Sequence, residues 1–199
     1  MNERSFTMVF NMTDKREQIL EATELLLAER GFHGLSMQMV AKQAGVAAGT
    51  IYRYFEDKDD LIEQLKYHVL ARIATAIQLN VDNDMPLQER YRTMWLNIWH
   101  LASSDCNTLL NRNQYECLPT KDNAQFRELE QKMFAKVDQL FTDGKQAGLF
   151  KPLDNKILIG LSLEASVALA RKHAQGLYQL DEQAIEAAIL ASWDAIIKH

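Results

Sequence analysis

Apolar residues along this chain recur at the three- and four-residue spacing of α-helices, and little interrupts them. The sequence holds only 8 Gly and 3 Pro in 199 residues, whereas a chain of many short strands needs turn-forming residues more often. No run of alternating apolar and polar residues competes with the helical pattern. We therefore predict an all-α protein of about nine helices. The later ones are expected over about residues 87–102, 105–117, 126 to 144–148, 154–174 and 181–198.

The composition is that of an ordinary globular protein, with 47% apolar and 25% charged residues. No stretch approaches 18 uncharged apolar residues, so no membrane span is expected. The first twelve residues lack the features of a signal peptide. We interpret them as a loose arm in which Met1, Met8 and Met12 are all candidate starts, and we expect a cytoplasmic protein.

The sequence offers no sign of catalysis. Motifs for binding nucleotides, for hydrolysis or for metal ions are missing, and the five histidines are scattered without ligand spacing. Cys106 and Cys117 are the only cysteines; on one helix they would lie roughly 16 Å apart, beyond disulfide reach. We favour two reduced core thiols over a redox sensor, which would need a bend between them. We predict no enzyme, no cofactor and no metal site.

Three helices are predicted near the N-terminus. Thr13 is a suitable cap for the first, which ends at Gly31. Ser36 caps the second, which ends at Gly45. A third, short helix follows over residues 47–54. A small residue, a glycine and a β-branched residue at this junction indicate a helix-turn-helix with a supporting helix before it.

A helical wheel separates two faces of the third helix. With Ile51 turned inward, Ala47 and Phe55 lie close to it. The outward set is Gly49 and Arg53, flanked by Thr50 and Tyr52. The only charges between Leu35 and Phe55 are Lys42 and Arg53, which makes this segment positive in a chain of formal net charge −5.

The outward residues suit a major groove. Gly49 permits close approach, Thr50 can contact a base edge or a phosphate, and Arg53 supplies charge. Tyr52 and Tyr54 can donate to phosphates on either side. Packing within the small domain is the alternative for both tyrosines.

The order of these residues resembles a known family. The stretch Ile19-Leu-Glu-Ala-Thr, Gly31-Phe, Ser36, Val40-Ala-Lys-Gln-Ala-Gly-Val and Gly49-Thr-Ile-Tyr-Arg-Tyr-Phe-Glu-Asp-Lys-Asp-Asp-Leu61 closely resembles the DNA-binding domain of the TetR family. The resemblance covers roughly residues 13–65. It implies a homodimer that binds a palindromic operator. It also implies a C-terminal helical domain that binds a small-molecule effector, which releases the protein from the operator. We therefore predict a repressor, with an activator as the alternative that stays open.

The resemblance also implies roles for single residues. Thr50, Tyr52 and Tyr54 would contact DNA, and Ser36, Gln38 and Lys58 would hold phosphates. Ala48 departs from the family habit of a basic residue at that position, which leaves the operator sequence open. We expect a DNA-binding domain over residues 13–58 and an effector-binding and dimerisation domain over 59–199, in which the fourth helix, from Asp57 to about Leu79, couples the two.

Aromatic residues, methionines and amides indicate an apolar pocket with polar anchors in the second domain, although an ordinary core would use the same residues. The candidate ligand contacts are Trp95, Trp99, Asn111, Tyr115, Met133 and Phe134. Asp105, Glu116 and Glu164 favour a cationic or lipophilic effector.

The last two helices have small residues along one face. These residues are Gly160, Ser162, Ala165, Ser166 and Ala168, then Ala184, Ala187, Ala188, Ala191 and Ala195. Small faces let helices approach closely, so we predict that the two helices pair with their copies as a four-helix bundle. Packing inside a monomer is the alternative. The rival functions are an enzyme and a helical protein-interaction module.

Overall fold

The computed structural model describes residues 3–104 and 124–199, and it confirms the all-α prediction. The helices of the described residues are α1 (Glu3–Arg30), α2 (Met37–Gln43), α3 (Ala48–Ile51), α4 (Lys58–Ile77), α5 (Leu87–Ser104), α6 (Ala124–Met133), α7 (Ala135–Gln146), α8 (Asn155–Leu161), α9 (Leu163–Ala174) and α10 (Glu182–Asp194). The helix predicted over residues 105–117 lies outside the described residues. No helix of the described part is both long and apolar enough to cross a membrane.

Of the described residues, those up to Val69 form one compact unit and those from Leu70 onward form a second. The first unit contains α1 to α3 and the start of α4. Its core side chains include Ile19, Leu20, Leu27, Val40, Ile51, Phe55, Leu61 and Leu65. They come from all four helices at helical spacing, so each helix presents one apolar stripe to a shared core.

The loose arm predicted before Thr13 is wrong, because α1 already begins at Glu3. Neither glycine nor proline stands between Glu3 and Gly31, so no residue in this range breaks the helix. Gly31 has a φ of +66°. Its amide donates to the Leu27 carbonyl at 2.9 Å, which closes the helix as predicted.

The second unit packs α5 along α9, with α7, α8 and α10 around them. Tyr91, Met94, Trp95 and Ile98 place the centre of its core on α5. Arg90 is almost completely buried there, and its Nη1 donates to Asp143 on α7 at 2.7 Å. The pair compensates the buried guanidinium and joins the two helices.

Two helices that the sequence predicts as continuous are interrupted. The amphipathic segment from Phe126 to about Gly144 breaks at Phe134, which has φ −98° and ψ 24°. The segment of residues 154–174 breaks at Ser162, with φ −127° and ψ −78°. The Ser162 hydroxyl donates to the Leu158 carbonyl at 2.6 Å, a local bond by which serine competes with regular helix.

The end of the chain is fastened to the turn between α7 and α8. Lys151 N donates to the Ile196 carbonyl at 2.9 Å, and Lys198 N donates to the Leu149 carbonyl at 2.8 Å. These bonds form an isolated antiparallel bridge. It explains why α10 ends at Asp194 instead of continuing to Lys198 as predicted.

Candidate nucleic-acid interface

The turn between α2 and α3 has the geometry that its sequence predicts. Gly45 has a φ of +66°, a conformation that other residues adopt only at a cost. The Val46 amide donates to the Ala41 carbonyl at 2.9 Å, and the Gly45 amide to the Lys42 carbonyl at 3.3 Å. These bonds satisfy the last carbonyls of α2 and turn the chain into α3.

The start of α2 is capped by Ser36. Its backbone is extended and its Oγ accepts a hydrogen bond from the Met39 amide at 3.3 Å. Ser36 and Gln38 are both exposed. Both side chains therefore remain accessible beside the first amides of the helix.

The helix α3 is shorter than predicted, because it ends at Ile51 and residues 52–54 continue as a turn. Ile51 and Phe55 are buried, while Gly49, Tyr52 and Arg53 are exposed, with Tyr52 at 56%. Thr50 and Tyr54 are half-buried. The wheel thus predicts the two faces of this segment correctly for these side chains.

The inward position predicted for Ala47 is wrong, since this residue is exposed. Ala47 precedes α3 as its N-cap and has extended backbone, with φ −65° and ψ 145°. A helical wheel does not describe a residue with this conformation. At Gly49, by contrast, an added β-carbon would meet no atom within 4 Å, so the surface there is open to a close approach.

Lys58 is engaged inside the first unit. Its Nζ donates to the Phe32 carbonyl at 2.6 Å and lies 4.1 Å from the centroid of the Phe32 ring. The lysine therefore holds the turn after α1 against the start of α4. An ammonium group carries three donors, so this bond leaves two others for a phosphate.

A second set of contacts, which sequence reasoning missed, lies at the other end of residues 48–55, which we call the recognition segment. Arg16 Nη2 donates to Gln64 Oε1 at 2.7 Å, and its guanidinium lies 5.8 Å from the Phe55 ring centroid. Gln64 Nε2 donates to Asp60 Oδ1 at 2.9 Å. Arg16 stands three residues before buried Ile19, a spacing that places both on one face of α1. This spacing could have indicated from the sequence that Arg16 faces the core of the unit.

The predicted ligand contacts lie mostly in the core of the second unit. Trp95 is fully buried and Trp99 is 5% exposed, and their rings stack with centroids 5.8 Å apart. Met133 and Phe134 are half-buried. Asn111 and Tyr115 lie outside the described residues.

The described acidic residues do not support a cation site. Glu164 is exposed, and Asp105 and Glu116 lie outside the described residues. In the described ranges no cluster of three or more potential metal ligands occurs. A surface groove of about 300 Å³ lies on α6 and α7, lined by Glu128, Gln131, Lys132, Ala135, Asp138, Gln139 and Thr142.

A buried helical core that turns a short, glycine-containing helix outward defines the class of helix-turn-helix DNA-binding proteins. The family model of bacterial regulatory proteins of the TetR family matches residues 19–65. The model of the tetracyclin repressor-like C-terminal domain matches residues 86–197. The chain therefore belongs to the TetR family of helix-turn-helix transcriptional regulators.

Individual relatives agree with this assignment. An uncharacterized helix-turn-helix transcriptional regulator of Haemophilus influenzae is 37% identical over 94% of this chain and 97% of its own length. A solved TetR family regulator from Vibrio parahaemolyticus is 65% identical, covers 93% of this chain and 100% of its own, and has a TM-score of 0.85. FadR from Bacillus subtilis in complex with stearoyl-CoA is 20% identical, covers 88% of this chain and 98% of its own, and has a TM-score of 0.64; this last likeness concerns the fold.

Proposed function

We propose that this regulator is a repressor that leaves a palindromic operator when a small-molecule effector binds. The observation that carries the proposal is the outward face of α3 and its following turn, where Gly49, Tyr52 and Arg53 are exposed over buried Ile51 and Phe55. A short helix with this arrangement fits a major groove. The protein would act in the cytoplasm, where bacterial DNA lies.

The proposed DNA contacts divide into two kinds. Thr50 and Gly49 face the base edges, with Gly49 allowing the backbone to come close. The phosphate contacts are Ser36, Gln38, Tyr52, Arg53, Tyr54 and Lys58. Ser36 and Gln38 act together with the first amides of α2, and such contacts set the register of the protein on the duplex.

Dimerisation through the last two helices has support from their exposed apolar residues. On α10 the buried residues Ile189 and Ser192 face the core, whereas Ala187, Leu190 and Ala191 are exposed, with Leu190 at 55%. Ala168 is exposed on α9. A face of small and apolar side chains suits close packing against a second copy.

Two residues of the face of small side chains predicted for the dimer interface are not available for it. Ser162 and Ser166 are fully buried within their own unit. They therefore pack inside the protomer, and the proposed interface is limited to the exposed residues of α9 and α10.

The effector would act by favouring a dimer whose recognition helices do not match the operator, because a ligand shifts only an equilibrium between states that it binds unequally. The helix α4 is continuous from Lys58 to Ile77. We propose that it transmits the change from an effector-binding domain of residues 59–199 to a DNA-binding domain of residues 13–58. FadR of Bacillus subtilis was solved with stearoyl-CoA, so a lipophilic effector is compatible with this fold.

The repressor proposal is tested with DNA from upstream of the chain's own gene. We expect fluorescence anisotropy to show saturable binding, and footprinting to show two protected half-sites related by a two-fold axis. Scrambled DNA of the same composition is the control, at a stated salt concentration. Equal affinity for both DNAs would contradict the proposal and favour the protein-interaction module instead.

The dimer proposal is tested by sedimentation of Leu190→Glu. A charge in an apolar interface is costly, so we expect this variant to be a monomer with weakened operator binding. Leu25→Glu is the matched control, because Leu25 is 50% exposed on α1 in the other unit. A dimeric Leu190→Glu protein would place the interface elsewhere.

A further inference from the structure

Two uncharged and fully buried side chains of the second unit carry a polar group without a hydrogen-bond partner. The groups are the indole N–H of Trp95 on α5 and the hydroxyl of Ser166 on α9. Both side chains are fully buried. A buried polar atom without a partner costs free energy, so native proteins rarely retain one without a reason.

The hydroxyl of Ser166 differs from those of the other buried serine and threonine residues in the described part of the chain. Thr23 donates to the Ile19 carbonyl, Ser162 to the Leu158 carbonyl and Ser192 to the Ile189 carbonyl, at 2.6, 2.6 and 3.0 Å. Each thus satisfies its donor within its own helix. Ser166 makes no such bond, so its donor and its lone pairs remain available.

Contacts between α5 and α9 place the two groups within about one helical turn of each other. Tyr91 hydrogen-bonds Ser162 at the start of α9. Farther along both helices, the Trp99 ring contacts the His173 ring with centroids 5.3 Å apart. The contacts follow the same order on each helix, so α5 and α9 run parallel. Trp95 follows Tyr91 by four residues and Ser166 follows Ser162 by four, so both lie one turn onward, in a layer between the two helices that is about one helical turn thick.

The chemistry of this layer restricts what can bind there. An indole N–H only donates, so its partner must present an acceptor. A hydroxyl can donate to the same acceptor. Among the described residues of the second unit no carboxylate is buried, and the buried charge is Arg90, which pairs with Asp143. The layer therefore suits an uncharged oxygen on an apolar molecule, and it holds no described buried carboxylate that would balance the charge of a cation.

We propose that Trp95 Nε1 and Ser166 Oγ are the paired anchors of a ligand site between α5 and α9, which takes an uncharged lipophilic compound through a carbonyl or hydroxyl oxygen. The inference deepens the proposed effector response and rests on it. The site is closed in this structure, so the ligand must bind a state in which the two helices stand farther apart. Such differential binding is what an effector needs in order to shift a population.

The test uses the full-length protein with its three tryptophans labelled with ¹⁵N. The probes are cyclohexanone, methylcyclohexane of similar shape without an acceptor, and the cyclohexylammonium cation. We expect cyclohexanone to shift the Trp95 indole proton downfield and saturably, and the other two probes to leave it in place. Ser166→Ala should weaken cyclohexanone binding about three- to tenfold, as expected for one neutral hydrogen bond.

The controls make each outcome decisive. Trp95→Phe assigns the resonance and should abolish the shift. Trp193→Phe replaces the tryptophan that contacts Tyr91 and Phe150, and it should leave the affinity unchanged. If Trp95→Phe fails to fold, Ser166→Ala, which removes a single oxygen atom, still decides the question.

Three results would overturn the site. One is an unmoved Trp95 resonance, the second an equal shift of all three tryptophans, and the third a cross-peak to a bound water that no probe displaces. DNA takes no part in this measurement. A protein that binds its operator but not cyclohexanone therefore refutes the site alone, whereas one that binds cyclohexanone and stays on its operator refutes effector release.

Discussion

Replacement of Arg16 tests how the first unit holds its recognition segment. Arg16 Nη2 donates to Gln64 Oε1 at 2.7 Å, and the guanidinium lies over the Phe55 ring. Gln64 is bonded to Asp60, whose Oδ2 accepts from the Glu56 amide at 2.8 Å. Phe55 and Glu56 directly follow the turn after α3. We therefore expect Arg16→Ala to loosen the connection between the recognition segment and α4.

The expected magnitude follows from these contacts. A hydrogen bond with one charged partner contributes about 1.5–3 kcal/mol, and a cation–π contact near its distance limit adds about 0.5 kcal/mol. Arg16 is half-buried, so solvent screening reduces the sum. We expect Arg16→Ala to lower the free energy of unfolding by about 1–2 kcal/mol and Gln64→Ala by about 0.5–1.5 kcal/mol. Because they share one bond, the double variant should lose about 0.5–1 kcal/mol less than the sum.

Urea unfolding measures these free energies, and operator anisotropy over a salt series measures the consequence for DNA binding. Arg16→Lys is the control, because it keeps the charge but not the planar donor group. If Arg16 acts inside the unit, Arg16→Ala lowers operator affinity without changing the salt slope, and Arg16→Lys restores little. Strict additivity with Gln64→Ala, or a slope smaller by about 1 with rescue by lysine, would show instead that Arg16 contacts a phosphate.

Four further variants test the interface and the second unit. Gly45→Ala should lower the free energy of unfolding by about 1–2 kcal/mol because of its positive φ, whereas Gly49→Ala should leave it nearly unchanged and weaken operator binding; thermal melts and anisotropy distinguish them, and an unaffected Gly49→Ala operator affinity would exclude a close approach there. Tyr52→Phe should weaken binding uniformly across operator variants if Tyr52 holds a phosphate, and an altered base preference would contradict that role. The hydrogen bond from Arg90, followed by that from Gln139, lowers the pKa of Asp143 from its ordinary value of 3.8; the carboxylate therefore stabilises the fold above that value, and this stability is lost as pH falls through the lowered pKa. Asp143→Asn should remove that part of the acid dependence in urea unfolding between pH 5 and 2, and an unchanged profile would refute the assignment.

The sequence predicts the helix-turn-helix well because its signals are local. The cap at Ser36, the positive φ at Gly45 and the burial of Ile51 all depend on residues within one or two helical turns. The contacts of Arg16 and Lys58 escape such reasoning, since each joins residues far apart in the chain. Periodicity assigns a side chain to a face, but it does not say which atom the side chain meets.

The second unit shows the same contrast between what local sequence patterns predict and what they miss. Periodicity predicts its amphipathic helices, yet not the interruptions at Phe134 and Ser162. Both residues stand inside apolar patterns that continue on either side. The periodicity of apolar residues therefore does not reveal where a helix is interrupted. Small size alone predicts a dimer face for Ser166, and its unpartnered hydroxyl becomes visible only once α5 and α9 are packed together.

The formal net charge of −5 says little about binding to a polyanion, because two carboxylates near the recognition segment accept local hydrogen bonds. Asp57 Oδ1 accepts from the Asp60 amide at 2.8 Å, and Asp60 accepts from the Glu56 amide. Both thus lie at the start of α4, where the positive end of the helix dipole offsets their charge. Fields of exposed charges decay over about 8 Å at physiological ionic strength, so more distant acidic residues contribute little at the DNA surface. We therefore expect Arg53, Lys58 and the amides of α2 to govern the affinity for DNA, and the net charge of the whole chain to be a poor guide to it.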